Sequence, residues 1–148
     1  MYLEPNPTEE EVEEQIEITE KLNEAIEQTD RSLTKITHKW YAKDSIVQEY
    51  VQYAYNLWGL DFVKLIECEN WRWEPFRKSK TNDYWICQLN YYYNKKFINS
   101  EDYKDVYKQL DYCYNKYKYN PKLRYWPDRK IKWKRCQDYV KDRFILES

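Results

Sequence analysis

Residues 60–90 read LDFVKLIECENWRWEPFRKSKTNDYWICQLN. The spacing predicts a short helix, capped near Asp61 and running to about Glu69. Taking Phe62 as origin and 100° per residue, Leu65 falls at about −60°, Ile66 at about +40° and Glu69 at about −20°, while Glu67 falls at about 140°. This places Glu69 on the apolar face, near the helix C-terminus, with Glu67 on the other side. Burial and the C-terminal dipole both disfavour a carboxylate anion there, which suits a general acid; the alternative is that the helix frays before Glu69 and leaves the carboxylate solvated. After Glu69 the helical signals stop. Pro75 marks a loop, and residues 71–99 read as short strands or irregular chain.

The stretch Glu69–Asn90 resembles the lysozyme-like superfamily. Goose-type lysozymes and lytic transglycosylases carry a helix ending in Glu-Ser, then a Pro, a Ser and a Gly-rich run into Gly-Leu-Met-Gln. Pro75, Ser79, Asn82 and Gln88 keep that spacing. Thr81–Asn90 is also similar to the animal-type hairpin Ser-Thr-Asp-Tyr-Gly-Ile-Leu-Gln-Ile-Asn. The resemblance covers roughly residues 45–130. The departures are Asn70 in place of Ser, one added residue before Pro75, and Asn82 and Trp85 where glycines are usual.

The resemblance implies a mainly α (α+β) lysozyme-like fold and cleavage of the β-1,4 bond between N-acetylmuramic acid and N-acetylglucosamine. Glu69 matches the general acid. Asp83 matches the second carboxylate of animal-type enzymes, and one protonated and one ionised carboxyl can flank a glycosidic bond. The alternative role for Asp83 is to cap its own turn. Gln88 and Asn90 match groove positions, or else order the hairpin backbone. Tyr92 and Tyr125 offer aromatic faces for sugar rings, and Tyr125 lies broadly where transglycosylases keep a late Tyr-Asn motif. The competing reading is a non-catalytic lysozyme-fold protein, either glycan-binding or a structural part of a virion.

Outward from this segment, Asp44 or Ser45 caps a helix whose apolar positions Ile46, Val47, Tyr50, Val51, Ala54, Tyr55 and Leu57 fit a buried helix, and Gly59 ends it. Ser100 is expected to cap a helix carrying Val106, Leu110, Cys113, Tyr114 and Tyr117 on one side. A last helix from about Ile131 carries Trp133, Val140 and Phe144. Toward the N-terminus, Thr8 and Glu11 form a capping box. Val12, Ile16, Ile18, Leu22, Ile26, Leu33 and Ile36 make an imperfect apolar stripe on a helix from about residue 8 to 30 or beyond. Thr37–Lys43 reads as a linker. The chain thus divides into an acidic helical extension with its linker, 1–43, and a lysozyme-like domain, 44–148.

Charge follows that division. Residues 1–37 hold 11 acidic and 3 basic residues, net −8; residues 38–148 hold 15 and 22, net +7. A basic body suits an anionic wall. The acidic helix is expected to pack on the body as an added structural helix, with a helical partner through residues 8–36 as an alternative. Nucleic acid is not expected, because the run Lys130–Arg135 reads more simply as a basic amphipathic helix. The single glycine, Gly59, excludes glycine-cradled phosphate sites. No cofactor and no metal are expected: His38 is the only histidine, and Cys68, Cys87, Cys113 and Cys136 form no CxxC pair. The cysteines are buried thiols or form one or two disulfides. No run of 18 apolar residues predicts a membrane span. Met1–Glu4 lacks signal-peptide character, so synthesis in the cytoplasm and action outside the cell or on a virion are expected.

Overall fold

The computed structural model describes residues 6–119 and 127–148, with side chains through residue 118 and again from residue 134. The expected class holds: the chain is mainly helical, with two small two-stranded sheets among the described residues. Helix α1 spans Glu9–Ser32, capped by the Thr8 hydroxyl, which accepts from the Glu11 amide. Strand β1, Lys35–His38, follows it, then a 3-10 turn over Lys39–Tyr41. Helix α2, Ser45–Trp58, starts on Asp44, whose carboxylate accepts from the Ile46 and Val47 amides. It buries Val47, Val51 and Ala54, one face at helical spacing. Gly59 has φ +85°, a conformation that favours glycine. Helix α3, Leu60–Glu69, restarts at once from it.

A two-stranded hairpin, β2 (Asp83–Tyr84) and β3 (Leu89–Asn90), leads into α4, Tyr91–Ile98. Helix α5 spans Val106–Tyr119 and α6 spans Pro127–Val140. The chain closes with β4, Phe144–Glu147. β4 pairs antiparallel with β1, Ile36 facing Leu146 and His38 facing Phe144.

The other edge of β1 is covered by side chains. On α2, Gln48 and Gln52 are one turn apart. Their carbonyl oxygens accept from the His38 and Ile36 amides, and their amide groups donate to the His38, Tyr41 and Thr34 carbonyls. An otherwise open strand edge is thereby satisfied. The core lies between α2, α3, α5 and the hairpin, with Val51, Ala54, Phe62, Val63, Ile86 and Leu110 excluded from solvent. Gln109 joins two of these layers: its oxygen accepts from the Ile86 amide and its nitrogen donates to the Pro75 and Tyr103 carbonyls.

Several expectations need correction. Thr37–Lys43 is not a linker, because Ile36 and His38 alternate inward as β1 and anchor the core. The acidic extension therefore ends near Ser32, before the expected boundary at 43. Phe144 is not on the last helix, since a 3-10 turn over Lys141–Arg143 carries the chain into β4. Ser100 caps only a 3-10 turn through the Asp102 amide; Asp105 accepts from the Tyr107 and Lys108 amides and starts α5. The tyrosine-rich residues 91–98 form a helix, because the Asn90 side chain caps it by accepting from the Tyr92 amide.

Helix α1 docks only at its C-terminal end. Arg31 donates to the Asn56 and Leu57 carbonyls and Gln28 to Leu57, so they satisfy the last carbonyls of α2. Glu24 pairs with Lys118 on α5. No residue of α1 is buried.

Two disulfides tie the layers, Cys68–Cys136 from α3 to α6 and Cys87–Cys113 from the hairpin to α5. They close sequence separations of 68 and 26 residues. Loop-closure entropy gives each a stabilisation of about 3–4 kcal/mol. Replacing both Cys87 and Cys113 by Ala is expected to lower the urea-unfolding free energy by about 3 kcal/mol. A loss under about 0.5 kcal/mol, the size of an ordinary surface substitution, would contradict this linkage.

Candidate functional site

Helix α3 carries two carboxylates at its end, and their environments are the reverse of the expected ones. Glu67 is 1% exposed, whereas Glu69 is exposed. The angular arithmetic holds; its premise of one buried stripe does not. Helix α3 is covered on a second side by His38 of β1 and by Arg143 just before β4, so the position at about 140° faces inward. Glu69 is the last helical residue.

The Glu67 carboxylate is enclosed by donors. His38 Nε2 lies 2.9 and 2.8 Å from its two oxygens. Arg143 Nη1 lies 2.9 Å from Oε1 and Trp73 Nε1 2.5 Å from Oε2. His38 Nδ1 accepts from the Trp40 amide, which assigns the ring proton to Nε2. The Arg143 guanidinium lies 3.7 Å from the Trp40 ring centroid. Trp73 reaches Glu67 from a left-handed backbone, φ +54°, a conformation costing a non-glycine residue about 1 kcal/mol or more. This closed cluster has no opening for a substrate. Its chemistry is to hold three distant segments on one anion.

The exposed end of α3 is different. Asn70, fully buried, donates from its side-chain amide to the Glu74 and Ile86 carbonyls and so fastens the helix end to the hairpin. The two positions where the resemblance expects glycine, Asn82 and Trp85, have φ +59° and +69°. The backbone is thus left-handed there even without glycine. The Trp85 ring stacks on Tyr103, centroids 4.4 Å apart and nearly parallel.

The remaining expected site residues serve the hairpin. The Asp83 carboxylate accepts from the Thr81 hydroxyl at 2.8 Å and the Ser79 hydroxyl at 3.4 Å, which is its turn-ordering role. Gln88 donates to the Arg77 and Trp85 carbonyls. Asn90 caps α4. Tyr92 is exposed. Tyr125 lies outside the described residues.

Directly after Glu69, the chain lines an open groove of about 630 Å³ against the start of α2. Trp71, Tyr41 and Tyr50 give it aromatic walls, and Arg72, Asp44 and Glu74 give it charge. The Tyr41 hydroxyl donates to the Trp71 carbonyl at 3.1 Å. Burial, and next the Glu67 charge, push the Tyr41 phenol above its usual range and keep it a donor. Among the described residues, no three His, Cys, Asp or Glu side chains are grouped to hold a metal. No described helix is long and apolar enough to cross a membrane.

Sequence reasoning missed His38, Glu67, Trp73 and Arg143. The available signal was the alternation in Lys35–His38, with Ile36 and the lone histidine on one side of a short strand. With this geometry in hand, no family model, no curated protein and no solved structure matches the chain.

Removing the Glu67 charge leaves a buried guanidinium without its anion, at a cost of about 3–5 kcal/mol. Glu67→Gln is therefore expected to lower urea-unfolding stability by about 3 kcal/mol, and Glu69→Gln to leave it within about 0.5 kcal/mol. Equal stabilities for the two variants would contradict this assignment.

Proposed function

We propose that the chain is a peptidoglycan-cleaving domain of the lysozyme-like kind, with Glu69 as its only general acid. One observation carries this reading: Glu69 ends α3 exposed, while the next residue, Asn70, is fastened to the hairpin and the following residues 71–75 line an aromatic groove. The left-handed backbone at Asn82 and Trp85 supports it, because those are the glycine positions of the resembled motif. The net charge of +7 on residues 38–148 supports an anionic wall as substrate. Two disulfides support action in an oxidising setting, outside the cytoplasm.

Asp83 is committed to Ser79 and Thr81, which favours chemistry with one carboxyl. Glu69 protonates the glycosidic oxygen as the bond to C1 of the muramic acid breaks. The 6-hydroxyl of the same sugar then attacks C1 and gives its proton to the Glu69 carboxylate. The products are a 1,6-anhydro end and a free sugar hydroxyl, and the acid is restored. Attack by water instead yields a reducing end.

A second reading, glycan binding without cleavage, is favoured by the exposure of Glu69.

Purified protein incubated with peptidoglycan, followed by mass spectrometry, tests both. The expected products carry 1,6-anhydro ends. Glu69→Gln should lower the rate by about 10²–10⁴-fold, and Asp83→Asn should leave it within a few-fold. Sedimentation with the wall and no fragments would replace cleavage by the second reading.

A further inference from the structure

Helix α1 presents an unpartnered amphipathic surface. Residues 9–23 are exposed throughout, about 22 Å of helix beyond the anchored end. Val12, Ile16, Ile18, Leu22 and Ile26 are each 42% to 58% exposed. With Val12 as origin, these five fall on an arc from about −120° to +40°. Glu9, Glu13, Glu17, Glu20 and Glu24 fall beside it, at about 60° to 140°. The helix carries an apolar stripe, interrupted by Glu11 at about −100°, with an acidic border. Residues 9–24 hold eight acidic side chains and one base, Lys21.

A complementary surface exists on the same chain. Residues 76–96 hold Arg77, Lys78, Lys80, Lys95 and Lys96 against one acid, Asp83, which is already engaged by Ser79 and Thr81. The surface is continuous. Lys78 Nζ lies 5.2 Å from the Tyr84 ring centroid, Tyr84 packs on Tyr91, and Lys95 Nζ lies over both Tyr91 and Tyr92. Tyr92 packs on Tyr93, and both are exposed. Aromatic faces bordered by ammonium groups match an apolar stripe bordered by carboxylates.

We infer that the stripe of α1 docks on the lysine- and tyrosine-rich face of β2, β3 and α4 in a second copy of this chain. Residues 9–24 of two copies packed on each other would instead bring together sixteen acidic groups and two bases. The contact within one chain is excluded by the anchor: Glu24, Gln28 and Arg31 fix the helix end on α2 and α5, leaving residues 9–23 in solvent. Each copy has one arm and one face, so reciprocal exchange gives a closed pair and one-way exchange gives longer assemblies. This inference stands whether or not the chain cleaves a glycan.

Light scattering after size exclusion tests it on the full chain. Association is expected in dilute buffer over about 1 μM to 1 mM protein, weakening as salt is raised from about 50 to 500 mM. One variant reverses the arm, Glu13→Lys, Glu17→Lys and Glu20→Lys. A second reverses the face, Lys78→Glu, Lys95→Glu and Lys96→Glu. All six positions are exposed, and circular dichroism checks that each variant is folded. Each variant alone should be monomeric, and an equimolar mixture should associate again. A monomeric wild type would overturn the inference. So would association that survives either reversal, which would mean another contact, or a mixture that stays monomeric. A face-reversed chain that loses only peptidoglycan binding, with the wild type monomeric, would assign the face to the wall instead.

Discussion

The Glu67 carboxylate is the point on which the fold converges. One anion, buried on α3, gathers an imidazole from β1, an indole from the loop after α3 and a guanidinium from the turn before β4. These groups lie 29, 6 and 76 residues away in sequence. A buried carboxylate is tolerable only when its oxygens are fully served by donors. That requirement fixes several features at once: the left-handed backbone of Trp73, the pairing of β1 with β4, and the placing of the Arg143 guanidinium over the Trp40 ring. The hydrophobic core would accept several arrangements of short strands around α3. The donor set around Glu67 accepts one.

What the sequence discloses is what local chemistry decides. Thr8, Asp44 and Gly59 announce helix ends by their own side chain or lack of one, and α1, α2 and α3 lie where those signals place them. The elements that were not legible depend on distant partners. A four-residue strand such as β1 shows only two inward positions, a weak signal by itself, and its partner lies more than 100 residues away. The partners of Cys68 and Cys87 are likewise set by packing of α6 and α5. At the candidate site, the exchange of environments between Glu67 and Glu69 follows from α3 being covered on two sides, which periodicity along one helix does not reveal.

The hairpin shows a division of labour among polar residues. Asp83, Gln88 and Asn90 could each face a ligand by residue type, yet Asp83 is spent on the Thr81 and Ser79 hydroxyls and Gln88 and Asn90 on the backbone. With one glycine in the whole chain, the left-handed turns at Asn82, Trp85 and Gln88 must be held by such bonds and by ring packing. Residues 70–75 are held at both ends, by the Asn70 amide bonded to Ile86 and by Gln109 bonded to the Pro75 carbonyl.

The antiparallel pairing of β1 with β4 also sets a timetable for synthesis. A ribosome delivers residues 35–38 early, but their strand partner and the arginine beside it come only with residues 143–147. Until that last segment emerges, His38 and Glu67 lie without the guanidinium that completes their cluster, and the inner edge of β1 is unpaired. The cluster around Glu67 is therefore completed late, as a contact of high sequence separation is. Helix α1, which has no buried residue, takes no part in that cluster.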